Sequence, residues 1–321
     1  MKLFPILFAV AAGTAALPGT VLAQGYPSKP IRLIVPYPPG GPTDFVGRAV
    51  AQKLSESLGQ QVVVDNRAGA ASVIGTEIAA RAVPDGYTLG FGTGGGLTVA
   101  PLTIKTPYDP LKDFAPVAQL VISPQVVVAH PSVKANNMKE LIALARERPG
   151  TINYASVGTG SPNHLGGELL RFVTGIDIVH VPYKGTAPAI TDLIAGQVQI
   201  MFSSMPTVLA HTKTGKLRLL ATGGSKRTAA IADTPTVAET LPGFEVVTWY
   251  GIFAPTKTPP DIIRKLNGEI VRIMRQQDIR DRFEAQGLEP QSSTPQELGE
   301  YMRREHDKWS KVIKAAGIKQ Q

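Results

Sequence analysis

The chain has 321 residues, no cysteine, 6% aromatics and a formal net charge of +8 from 33 basic and 25 acidic side chains. The lack of thiols excludes disulfides, cysteine metal sites, thiol catalysis and a lipid anchor on an N-terminal cysteine. The basic residues are scattered without interleaved aromatics, which argues against nucleic acid and leaves the attraction of anionic solutes as a use for the charge.

In chain order, the first element is an export signal. "MKLFPILFAVAAGTAALPGTVLAQ" has a cation at Lys2, an apolar stretch over 3–17 and small residues before a cut after Ala23. This predicts a signal peptide over 1–23 and a periplasmic protein. No later run reaches the ~18 apolar residues of a membrane helix.

"PIRLIVPY" then reads as a strand, and 43–58 as a helix with Val46, Val50, Leu54 and Leu58 along one stripe. "QQVVVDNR" is a strand, "SVIGTEIAARAV" a helix and "YTLGFGT" a strand. Strands this rich in Val and Ile, covered by helices, predict an α/β fold with a largely parallel sheet. A second set starts near Phe114, where "FAPVAQLVISPQVVVAH" holds two strand-like runs broken at Ser123-Pro124. Helices follow at "MKELIALARERPG", "PNHLGGELLRFVTG", "APAITDLIAG" and "PTVLAHTKTG", alternating with strands at "TINYAS", "IDIVHVPY", "QVQIMFSS" and "LRLLATGG". After the strand "VVTWYGIFAP" come three helices, 261–275, 278–286 and 294–316. No Pro/Gly/Ser-rich tether separates the sets. The chain therefore crosses between two lobes on strands near 121–126 and 246–253, and the C-terminal helices return to the first lobe. The expected organisation is a first domain of 24–122 with 251–321 and a second of 123–250, with a cleft between them.

Several strand-to-helix corners share one build. Gly40-Gly41-Pro42, Gly160-Ser161-Pro162, Tyr183-Lys184-Gly185 and Ser203-Ser204-Met205-Pro206 each open a helix. Proline fits the first turn, serine caps it, and glycine lets the backbone turn and a ligand come close. Taken singly, each corner is first of all a capped helix start. Two near twins, one in each lobe, shift the reading toward an anion seat at two helix N-termini. Gly90-Phe91-Gly92-Thr93-Gly94-Gly95 matches a dinucleotide fingerprint only weakly, because Pro101 and Pro107 leave no clean helix behind it. It reads as a flexible glycine corner of the same cleft. The five histidines lack metal spacing, so neither metal nor cofactor is expected. Ser161 with His164 is the only near candidate for a nucleophile and base, the alternative being an exported hydrolase or lyase. Lys184 is the one cation beside a corner, and Trp249 and Tyr250 lie on the second crossing.

The stretches "YPSKPIRLIVPYPPGGPTD", "VVVDNRAGAASVIGTEIAARAVPDGYTL", "LIALARERPGTINYASVGTGSPNHLGGELL", "IVHVPYKGTAPAITDLIAGQVQIMF" and "TPTVAETLPGFEVVTWYGIFAPTKTP" make the whole mature chain resemble the periplasmic solute receptors of tripartite tricarboxylate transporters, the Bug proteins. The resemblance implies a two-lobed periplasmic binding fold, not an enzyme, that closes on a small carboxylate. Its partners would be transporter membrane subunits or a sensor kinase, with no cofactor and a monomeric state. Carried over by position, the first gripping loop is Tyr37, Pro38, Pro39, Gly40, Gly41, Thr43 and Asp44. The second is Ser156, Gly158, Thr159, Gly160, Ser161 and His164. The rest of the ligand would face Thr93, Tyr183, Lys184, Ser203, Trp249 and Tyr250. Two departures from relatives, "GTGGGLTVAP" and "MFSSM", remove polar Asn and Asp positions and favour a ligand that is neutral or anionic there.

Overall fold

The computed structural model describes residues 25–228 and 231–320, so the expected signal segment lies outside the described residues. The first lobe opens with β1 (Ile31–Val35), α1 (Pro42–Leu58), β2 (Val62–Asn66), α2 (Val73–Ala80) and β3 (Thr88–Thr93). β1 lies between β2 and β3 and runs parallel to both. Proline at the first position of α1 has no N–H to leave unsatisfied. The helix ends at Gly59, whose φ of +67° is the left-handed conformation glycine adopts without strain. The predicted stripe of α1 buries Val46, Val50 and Leu54 against Ile31, Leu33, Val35 and Phe91.

The glycine corner after β3 is wound rather than loose. It forms a π turn over Gly95–Val99 that runs into the short α3 (Ala100–Thr103). Gly96 fits there because a Cβ would sit 2.7 Å from Ser72 Oγ.

β4 (Phe114–Ala129) then runs unbroken for 16 residues through Ser123-Pro124, where the sequence suggests an interruption. As far as Pro124 it pairs antiparallel with β9 (Val247–Pro255). From Gln125 it pairs antiparallel with β7 (Ile200–Ser204), and from Val126 with β8 (Arg218–Thr222). The proline marks a change of partner, a place where a missing N–H is tolerated. The second lobe continues with α4 (Met138–Glu147), β5 (Ile152–Ser156), α5 (Pro162–Thr174), β6 (Ile178–Pro182), α6 (Thr186–Ile194) and α7 (Met205–Lys213). β5 is parallel to both β6 and β7. The strand order is β2-β1-β3-β9-β4-β7-β5-β6, with β8 on β4. The sheet is thus mixed rather than largely parallel. It is parallel in its outer parts and antiparallel along the two crossing strands, because a chain that passes out on β4 and back on β9 must lay them head to tail.

The C-terminal part is α8 (Pro260–Met274), α9 (Gln277–Glu284), the two-residue β10 (Glu289–Pro290) on β4, and α10 (Pro295–Ala315). Thr294 and Glu297 close a capping box at the start of α10. Leu298 and Met302 of this helix pack with Ile34, Trp249 and Phe253. Trp309, Val312 and Ile313 pack with Tyr154, Leu165 and Phe202 of the second lobe. At 21 residues α10 is about 31 Å long, enough to lie across both lobes rather than on the first alone.

Candidate functional site

A cleft of about 760 Å³ opens between the lobes. The β1–α1 loop supplies Tyr37, Pro38, Pro39, Gly41, Pro42 and Thr43. The β5–α5 loop supplies Val157 to Pro162, the turn after β3 supplies Thr93, Gly95, Val99, Ala100, Thr103 and Ile104, and Ala71, Thr248 and Tyr250 complete the lining.

The first loop is held from behind by Asp44, which is 4% exposed. Its carboxylate accepts hydrogen bonds from the Gly40 N–H at 2.9 Å, Arg48 Nε at 2.9 Å and Asn66 Nδ2 at 3.0 Å. Asn66 Nδ2 also donates to the Tyr37 carbonyl. Burial pushes the Asp44 carboxyl up, but the hydrogen bonds from Arg48, Gly40 and Asn66 outweigh it and hold it below the usual carboxylate range. Gly40 takes φ +87°, which favours glycine, in the turn that leads to the first N–H groups of α1. Those N–H groups have no acceptor within the helix and lie at its positive end.

The second loop rests on a buried stack. The Gly160 N–H donates to His164 Nδ1 at 3.0 Å, and the Gly158 N–H donates to Ser156 Oγ at 3.1 Å. Ser156 Oγ is also 2.6 Å from His180 Nε2. The two imidazoles stack with centroids 4.0 Å apart, and Tyr154 stacks on His180. Below them Tyr154 OH donates to Glu168 at 2.5 Å, and Arg171 Nη1 reaches both Glu168 oxygens at 2.9 and 3.0 Å. Burial lowers the pKa of His164, partly offset by Glu168. Burial, then His164, push His180 down to about 4. Both rings are therefore neutral at pH 7. The bond from Gly160 assigns His164 the tautomer with its proton on Nε2.

Of the sequence-predicted residues, Tyr37, Pro38, Pro39, Gly41, Thr43, Thr93, Gly158, Thr159, Gly160, Ser161 and Tyr250 line the cleft. Gly40, Asp44, Ser156 and His164 support the two loops from behind. Tyr183, Lys184, Ser203 and Trp249 are not in the lining. Tyr183 OH donates to Asp192 at 2.8 Å, Lys184 is exposed, and Ser203 and Trp249 are buried within the lobes. Val99, Ala100, Thr103 and Ile104 escaped the sequence reading because Pro101 disguises their helical turn. Ala71 was missed too, and the only trace is "RAGAAS", where Ala70, Ala71 and Ser72 hold φ of 45°, 51° and 79°. His180 and Glu168 were missed too, since the contacts that tie them to Ser156 and Tyr154 join separate elements.

Ser161 and His164 do not form a nucleophile–base pair. Ser161 Oγ caps α5 by accepting the His164 backbone N–H at 3.3 Å, while the ring nitrogen Nδ1 is engaged by Gly160. Each of the two loops displays a helix start to the same cleft. A family model described as the tripartite tricarboxylate transporter family receptor matches residues 46–318. The chain belongs to this receptor family. It is 39% identical over 312 residues to the protein BugT of Bordetella pertussis, covering 95% of each chain. It superposes on Rhodopseudomonas palustris Rpa4515 with adipate at a TM-score of 0.76 and 34% identity, covering 92% of this chain and 100% of the other. It matches MatC of the same species with bound malate at a TM-score of 0.71 and 32% identity, covering 90% and 100%. The fold is that of the two-lobed periplasmic binding proteins, and the family is one of solute receptors rather than enzymes.

Proposed function

We propose that this receptor works in the periplasm as a monomer, capturing a small mono- or dicarboxylate in the cleft and delivering it to the membrane subunits of a tripartite transporter or to a sensor kinase. The observation that carries the reading is the convergence of two helix-start loops, one from each lobe, on a single cleft. The free N–H groups of the first turn of α1, with the hydroxyls of Thr159 and Ser161 opposite, suit a carboxylate in both charge and geometry. The adipate and malate bound by the two solved relatives support the ligand class. The expected signal segment at 1–23 supports export. We take residues 24–122 with 251–321 as one lobe and 123–250 as the other, hinged where β4 and β9 cross. A ligand that bridges both loops then favours the closed arrangement by its differential affinity.

Gly41 provides the test. Its φ of −86° is open to any residue, and a Cβ there meets nothing within 4 Å. Gly41→Val therefore places methyl groups in the cleft without strain. Its melting curve should match the parent, and its affinity for a carboxylate identified by native mass spectrometry or a thermal-shift panel should be lost. Calorimetry showing unchanged affinity in both Gly41→Val and Gly160→Val would sink the two-loop grip.

A further inference from the structure

Two residues of β9, the strand that crosses between the lobes, reach the cleft lining. Thr248 and Tyr250 stand two apart and so share one face of the strand. Trp249 between them turns to the other face, into the core it shares with Ile34, Phe253 and Leu298. Tyr250 is 7% exposed. Its ring packs on Phe91 with centroids 5.4 Å apart, and its backbone pairs with Thr93 of β3 and Val121 of β4. With ring and backbone enclosed in this way, the cleft is where the residue meets solvent. Neither its hydroxyl nor that of Thr248 makes a hydrogen bond among the described residues. Neighbouring hydroxyls of the lining do have partners. Tyr37 OH and Thr93 Oγ1 bond each other at 3.2 Å, and Thr103 Oγ1 donates to the Val99 carbonyl at 3.0 Å. Burial pushes the Tyr250 phenol up, so at neutral pH it keeps its proton and can donate.

Buried polar groups are as a rule hydrogen-bonded, so a nearly buried phenol without a protein partner calls for a partner from outside. Resting on the carboxylate reading above, we infer that Tyr250 determines specificity by donating to an oxygen on the body of the ligand, which is an acid bearing a hydroxyl or oxo group beyond its gripped carboxylate. A plain hydrocarbon body closing over the phenol would strip it of solvent and leave it bare, at the full cost of its desolvation. A ligand oxygen at that place restores the bond. Thr248 offers a second hydroxyl on the same face of the strand. The selection acts on an oxygen rather than on charge, so it does not depend on the number of carboxylates. Because β9 belongs to both lobes, the ligand then touches the crossing strand as well as the two loops.

Calorimetry on the purified protein, refolded to remove any co-purified acid, compares acids that differ by one uncharged hydroxyl: hexanoate with 6-hydroxyhexanoate, benzoate with 4-hydroxybenzoate, and succinate with malate. In at least one pair the hydroxy acid is expected to bind fivefold tighter or more. Tyr250→Phe keeps the ring on Phe91 and removes only the O–H. In that pair it is expected to weaken the hydroxy acid and strengthen the unsubstituted one, bringing the two within about twofold. A merely structural role would weaken both alike, and that result overturns the inference. If acids bind but no hydroxy acid is preferred, the inference is overturned while the carboxylate reading stands. A preference that survives Tyr250→Phe but is erased by Thr248→Val moves the reading to Thr248 and overturns the assignment to Tyr250. If no acid binds to the folded protein, the carboxylate reading fails and takes the inference with it.

Discussion

His164 and His180 decide how firmly the second loop is held, and both act as neutral rings. Tyr154, Glu168 and Arg171 face them from β5 and α5, and Ser156 links His180 to Gly158. An unfolded imidazole titrates near ~6.5, whereas His180 in the fold is held at about 4. Between these values the unfolded chain binds more protons than the folded one. The stability contributed by the neutral pair is therefore complete above pH ~6.5 and is lost as pH falls toward 4. Affinity should decline as well once the pH is low enough to protonate His164, because a protonated His164 cannot accept the Gly160 N–H. His180→Phe keeps the stack and removes one titration. Urea midpoints at several pH values are expected to fall less steeply in this variant than in the parent, and identical slopes would refute the role assigned to the ring. This pair was only half legible in the sequence. His164 stands out at the third position of a capped helix, while His180 lies 24 residues from Ser156 on another strand and meets it only through the parallel pairing of β5 and β6.

At the scale of elements, α5 owes its position to two glycines in its interior. A Cβ at Gly166 would lie 2.6 Å from Phe202, and one at Gly167 would enter the ring of Tyr154. The helix thus lies closer to its strands than any residue with a side chain allows. Alanine is the better helix former by about 1 kcal/mol. Gly167→Ala is nonetheless expected to destabilise the protein by about 1–3 kcal/mol through overpacking, and to weaken ligand binding by shifting the Ser161–His164 turn. Urea unfolding and calorimetry check both, and a stabilised variant would contradict the packing argument. The periodicity of α5 and α1 was plain in the sequence. β10, at two residues, is too short to leave a pattern, and Pro124 looks like a stop because sequence does not reveal that a strand changes partners there.

For the whole molecule, the two gripping loops were readable because local Gly, Ser and Pro chemistry builds them. The place of Val99, Ala100 and Ile104 in the cleft and the span of α10 were not, since both depend on which surfaces the two lobes bring together. The net charge of +8 is spread over the surface while the cleft lining carries none. Charge should then act on encounter rather than on holding. Raising salt from about 20 to about 500 mM, which shortens the Debye length severalfold, is expected to slow association severalfold in stopped-flow fluorescence and to leave dissociation nearly unchanged. A salt-dependent dissociation rate would place a charge in the site. The internal bonding of the loops has a further consequence. The N–H groups of Gly40, Gly158 and Gly160 are already taken by Asp44, Ser156 and His164. A flat carboxylate, with two oxygens, needs only the few donors left. Phosphate and sulfate, with four oxygens and a denser charge, need more donors than the loops leave free. Mineral oxyanions are therefore expected to bind more weakly than a carboxylate, with no element devoted to rejecting them.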